Sequence, residues 1–139
     1  MEHGADINKE NNEFGTPIFI ACLNGHEDIV KYLVDHDANI NKVTIDGSTA
    51  LKAACFNDNL NLAKYLVHEH GFDINKEDIY GWTPLLISCH EGHINIVKYL
   101  IEYGVYLNKE RNNDWILLLY ACRMSKKKKT QRYSKIFNR

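Results

Sequence analysis

The sequence has no long hydrophobic run: its longest apolar stretch, Trp115 to Cys122, is far too short to span a bilayer. It contains no Cys-x-x-Cys pair with which to build a zinc site. Asn-x-Ser/Thr acceptors, glycine-rich phosphate loops, nucleophile elbows and paired-carboxylate motifs are also missing. Met1-Glu2-His3-Gly4 opens directly into polar sequence, without the regions of a secretory signal. These absences point away from a membrane protein, a metal site and an enzyme, and no cofactor is expected. The expected setting is intracellular, the cytoplasm in the first instance, with the nucleus left open. Acid is lacking in one place only. Residues 123–139 hold eight Lys/Arg and no Asp/Glu, whereas residues 1–122 hold nine Lys/Arg and all eighteen Asp/Glu. The formal charge of −1 therefore averages a body of −9 and a tail of +8.

What the sequence does contain is repetition. Its four cysteines, Cys22, Cys55, Cys89 and Cys122, fall 33, 34 and 33 residues apart. Ile7-Asn8-Lys9, Ile40-Asn41-Lys42, Ile74-Asn75-Lys76 and Leu107-Asn108-Lys109 keep the same beat. So do Val30-Lys31-Tyr32-Leu33, Ala63-Lys64-Tyr65-Leu66 and Val97-Lys98-Tyr99-Leu100. Three ladders with one period mean stacked supersecondary units that share a continuous core. The cysteines do not read as disulfides. Neighbouring stacked helices lie about 8–10 Å apart, and a disulfide needs Cα atoms within about 7 Å. Each thiol is expected to fill a small buried slot.

Each unit reads as two short helices. Thr16-Pro17 opens the first, because Thr can accept a first-turn N–H and Pro suits the first helical position. Asn24-Gly25 closes it. A second helix is expected from about Glu27 to Asp35, with acids in its first turn. Its apolar Ile29, Val30, Leu33 and Val34 recur at helical spacing, which predicts a buried face. The clearest copy runs Gly81-Trp82-Thr83-Pro84-Leu85-Leu86, then Gly92-His93-Ile94-Asn95-Ile96-Val97-Lys98-Tyr99-Leu100.

These residues resemble the ankyrin repeat family, whose pattern reads Gly-x-Thr-Pro-Leu-His-x-Ala-Ala, then Gly-His, Ile-Val and a leucine pair. The resemblance covers nearly the whole chain. It implies an all-α solenoid of helix-turn-helix units joined by β-hairpin-like fingers on the concave side. One domain is expected over residues 1–139. It comprises a partial repeat at 1–10, repeats at 11–43, 44–77 and 78–110, and an atypical last repeat with the basic tail at 111–139.

The chain departs from the pattern in several places. Phe19, Lys52 and Leu86 replace the family's His, which predicts the loss of a polar tie between neighbours. The second unit has Ala50 for Pro, Asp58-Asn59 for Gly-His, and one extra residue near His68-Glu69-His70-Gly71. That residue is expected in a surface loop, and this unit is expected to be the least stable. His90-Glu91-Gly92-His93 resembles a zinc-protease helix only superficially. Its imidazoles are three residues apart, and Gly92 ends the helix between them. The turn asparagines Asn8, Asn41, Asn75 and Asn108 are expected to brace the turn through side-chain to backbone hydrogen bonds.

The resemblance also implies where a partner would bind: the finger tips and the outward side of each first helix. Those positions include Glu13, Leu23, Asp46, Phe56, Ile79, Tyr80, Trp82, His90 and Trp115. Phe56, Tyr80, Trp82 and Trp115 read as aromatic anchors. Asp46, Glu13 and Glu91 around them favour a protein partner with a basic segment. The rival reading places function in Lys126, Lys127, Lys128, Lys129 and Arg132, a patch suited to nucleic acid or a nuclear-import receptor.

Overall fold

The computed structural model describes residues 4–11 and 15–107, with side chains as far as residue 104. Glu13, Asn108, Trp115, Cys122 and the basic tail lie outside this range. The described residues form six α-helices and no strand, in three consecutive pairs. The first helices are α1 (Pro17–Leu23), α3 (Ala50–Phe56) and α5 (Pro84–Glu91), and the second helices are α2 (Glu27–Asp35), α4 (Leu60–His70) and α6 (Ile94–Leu107). Each first helix packs on its own second helix, and α3 packs between α1 and α5. Second helices touch one another less than first helices do.

Local chemistry sets these boundaries. Thr16, Thr49 and Thr83 each cap a first helix, their hydroxyls accepting the N–H of Phe19, Lys52 and Leu86 at 3.4, 3.1 and 3.1 Å. Asn24 follows α1 as its cap, and α2 spans the predicted residues, with Glu27 and Asp28 in its first turn. The core runs through the stack as Ile18, Cys22, Val30, Leu51, Cys55, Leu62, Leu66, Ile96 and Leu100. Cys22, Cys55 and Cys89 are buried free thiols, as their spacing implied.

Four expectations need correction. Ile29 does not join the buried face of α2 but is half exposed, because no helix pair lies on its outer side among the described residues. The extra residue of the second unit does not sit in a loop. It lengthens α4, so His68 and His70 are helical, and Gly71 ends the helix with φ +65°. Lys52 does not forfeit the inter-unit tie. Its ammonium pairs with the buried carboxylate of Asp78 in the next unit and donates to Ser48 Oγ at 3.1 Å. At the turn asparagines, the acceptor is the side chain two residues earlier: Asp6, Asn39 and Asp73 accept the N–H of Asn8, Asn41 and Asn75. Among the described turn asparagines only Asn8 has its side chain hydrogen-bonded, and it acts outside its own turn, accepting Asn39 N–H at 2.7 Å.

Asp58-Asn59 likewise substitutes for Gly-His with partners of its own. Asn59 Oδ1 accepts Leu62 N–H, and its Nδ2 donates to Gly25 O of the preceding unit at 3.3 Å. His93 makes the same kind of tie one unit later, Nε2–H donating to Phe56 O at 2.9 Å. Its Nδ1 lies 3.6 Å from Asp58 Oδ2.

Candidate protein-binding surface

Between successive described helix pairs the chain makes a five-residue finger, closed by a backbone bond from its first N–H to its last C=O. The two closures are Thr44 to Ser48 and Asp78 to Trp82, at 3.1 and 3.0 Å, and the same kind of bond joins Asn11 N–H to Gly15 C=O ahead of α1, at 3.1 Å. In both fingers a positive-φ glycine, Gly47 or Gly81, makes the reversal, and its N–H returns to the C=O of Thr44 or Asp78. Thr44 and Asp78, the first residues of these two fingers, then stabilise the loops with their side chains. Thr44 Oγ1 accepts Ser48 N–H at 3.1 Å and donates to the Asp46 carboxylate. Asp78 Oδ1 accepts Tyr80 N–H at 2.8 Å and Trp82 N–H at 2.9 Å. Ile79 N–H donates to Asp46 C=O at 2.9 Å and locks the two fingers together.

The electrostatics follow from these bonds. The Thr44 hydroxyl, with help from Ser48 and Lys52, holds the Asp46 carboxyl below its ordinary pKa against a smaller opposing effect of burial. At Asp78 burial is the largest single influence and pushes upward. The hydrogen bond from Lys52, the two backbone N–H groups and the Lys52 charge together outweigh it, so this carboxyl also titrates low. Both fingers therefore carry a carboxylate at neutral pH, one partly exposed and one enclosed.

These rigid loops place large apolar side chains in solvent: Ile45 is 84% exposed, Ile79 65% and Tyr80 72%. Phe56, at the end of α3, is exposed as well. Trp82 is only half-buried, with the His90 ring edge-on at 5.4 Å, and His90 Nδ1 lies 3.2 Å from Glu91 Oε1. Leu23 is half-buried and packs on the core at the end of α1. The structure thus brings Asp46, Ile79 and Tyr80 together at adjoining tips and pairs Trp82 with His90. His90 and His93 do not converge, since Gly92, at φ +80°, ends α5 and each ring takes a different partner.

Sequence reading overlooked Asp78, which organises the finger that ends at Trp82. Its signal was an Asp at a turn start, three residues before Gly81. The Lys-Tyr pairs were read only as a register. In the structure Lys31 Nζ lies 5.4 Å above the Tyr65 ring and Lys64 Nζ 5.6 Å above the Tyr99 ring, so each lysine covers the tyrosine of the following unit.

Stacked helix-turn-helix units joined by projecting fingers define the repeat class to which this molecule belongs. The family profile described as Ankyrin repeats (3 copies) matches residues 1–78 and 68–132. The chain belongs to the ankyrin repeat family. No match is found among curated proteins. Ankyrin repeats are generally protein–protein interaction modules and typically non-catalytic. No helix among the described residues is long and apolar enough to cross a membrane.

Proposed function

We propose that the protein is a non-catalytic binding module that grips a protein partner with its finger tips and the adjoining ends of its first helices. The observation that carries this reading is the exposure of Ile45, Ile79 and Tyr80 on loops already fixed by side-chain and backbone hydrogen bonds. Exposed apolar anchors on preorganised loops lose little conformational freedom on binding, which favours affinity. The Asp46 carboxylate beside them favours a partner segment that carries Lys or Arg next to apolar residues.

The test is capture from native lysate by the full chain, by a chain ending at Cys122, and by the double variant Ile79→Ala/Tyr80→Ala, with bound proteins identified by mass spectrometry. A protein held by the first two and lost by the third supports the finger surface. Binding lost on truncation and kept by the double variant would transfer the function to the +8 segment. That contact, if made to nucleic acid, would also weaken steeply with salt.

A further inference from the structure

Lys52 joins two fingers without belonging to either. Its ammonium donates to Ser48 Oγ, at the end of the finger 44–48, at 3.1 Å, and pairs with the carboxylate of Asp78, at the start of the finger 78–82. The Asp78 side chain is 1% exposed, and its other oxygen accepts the Tyr80 and Trp82 N–H groups. One lysine thus links the last residue of the first finger to the backbone of the second. The fingers also meet directly. Ile79 N–H donates to Asp46 C=O, and a Cβ at Gly47 would come within 3.4 Å of Asp78 Cα and Ile79 N.

Phe19 and Leu86 stand at the equivalent positions of the first and third helix pairs and carry no charge, so among the described residues this bridge occurs at one seam. The same seam carries the solvent-exposed Ile45, Ile79 and Tyr80. Lys52 does not share their exposure: its side chain is 16% exposed and its charge is already matched by Asp78. We infer that Lys52 is a positioning residue for the finger-tip surface: it clasps the two fingers into one epitope, and the partner is a single segment that must touch both tips at once. The inference rests on the finger-tip reading proposed above. Tips held in fixed register have little freedom left to lose when a segment bridges them, whereas separately mobile tips would be ordered only at the expense of affinity. Because the ion pair is enclosed, salt screens it little, and the clasp holds at physiological ionic strength.

The test uses the full chain with three variants. Lys52→Met removes the charge and keeps the apolar stem, and Lys52→Arg keeps charge and donors. Lys52→Met strands a buried carboxylate, so Lys52→Met/Asp78→Asn accompanies it. No unpaired charge is then buried, and an amide oxygen still accepts the Tyr80 and Trp82 N–H groups. Amide relaxation of the isotope-labelled chain reads backbone order parameters, which a uniform loss of stability does not move. At residues 45–47 and 79–81 they should fall from about 0.85 to about 0.6 or below in both methionine variants. The helices should be unchanged, and Lys52→Arg should match the wild type. The captured protein that Ile79→Ala/Tyr80→Ala loses is then purified and titrated against each variant. Both methionine variants should bind it about tenfold more weakly, and Lys52→Arg within about twofold of the wild type. Unchanged order parameters at the tips overturn the inference, as does a fall spread evenly over the helices. Loosened tips with unchanged affinity also overturn it, while leaving the finger-tip reading intact. If no captured protein depends on Ile79 and Tyr80, that reading fails and the inference falls with it.

Discussion

Lys52 stands where the family pattern has histidine, and its ammonium crosses a unit boundary to a carboxylate that is almost wholly enclosed. Replacing it with alanine leaves the Asp78 charge buried without its counter-ion. We expect Lys52→Ala to lower unfolding stability by about 3 kcal/mol in urea titrations. Asp78→Asn should cost less, because an amide oxygen can still accept the Tyr80 and Trp82 N–H groups. The same carboxyl sets an acid limit. Asp46 and Asp78 titrate in the folded chain below the ordinary value of about 3.9. Their contribution is complete above that value and is lost as pH falls through their lower native values. Thermal melts between pH 5 and pH 2 should therefore decline more steeply for the wild type than for Asp78→Asn. Sequence reading did not foresee this pair, because its members are 26 residues apart and the equivalents of Lys52, Phe19 and Leu86, carry no charge.

At the scale of helices, most of the architecture was legible in the sequence. Thr16, Thr49 and Thr83 announce three helix starts, and the apolar spacing of Glu27 to Asp35 defines α2. The two misreadings have physical causes. The extra residue of the second unit could enter either a loop or a helix, and Gly71 could end α4 only after His70. Helical periodicity identifies the apolar face containing Ile29 without revealing whether a neighbour covers it. The second helices are also joined by the lysine-over-tyrosine contacts. Lys64→Gln should cost about 0.5–1 kcal/mol, and a double-mutant cycle with Tyr99→Leu should recover most of it as coupling. Burial, with smaller effects of Tyr103 and Cys55, pushes the Tyr99 hydroxyl up to about 12. The native state then holds a proton that the unfolded chain releases near pH 10, so stability falls as pH rises from about 10 towards 12. Urea titrations at pH 9, 10 and 11 should show that decline, and it should be shallower in Tyr99→Phe. Burial also pushes the Cys22 and Cys55 thiols up to about 12. Peptide mapping after iodoacetamide treatment at pH 8 should find both unmodified in the native protein and modified in urea.

Across the whole molecule, the units share a scaffold and differ at their tips. The repeat pattern made the solenoid readable, while the finger residues were readable mainly as positions: Ile45 and Ile79 recur at the second place of their fingers, but Asp46 gives way to Tyr80 at the third. Their exposure makes a clear prediction: Ile79→Ala/Tyr80→Ala should shift unfolding stability by no more than about 0.5 kcal/mol per site while removing the captured partner. The lysine-over-tyrosine contact has a consequence of another kind. Each of the three described helix pairs carries a lysine for its successor and a tyrosine for its predecessor, so a unit copied by tandem duplication arrives with both halves of its joint already matched. A lineage built this way can lengthen or shorten its array by whole units without redesigning any boundary, and selection is left free to rewrite the tips.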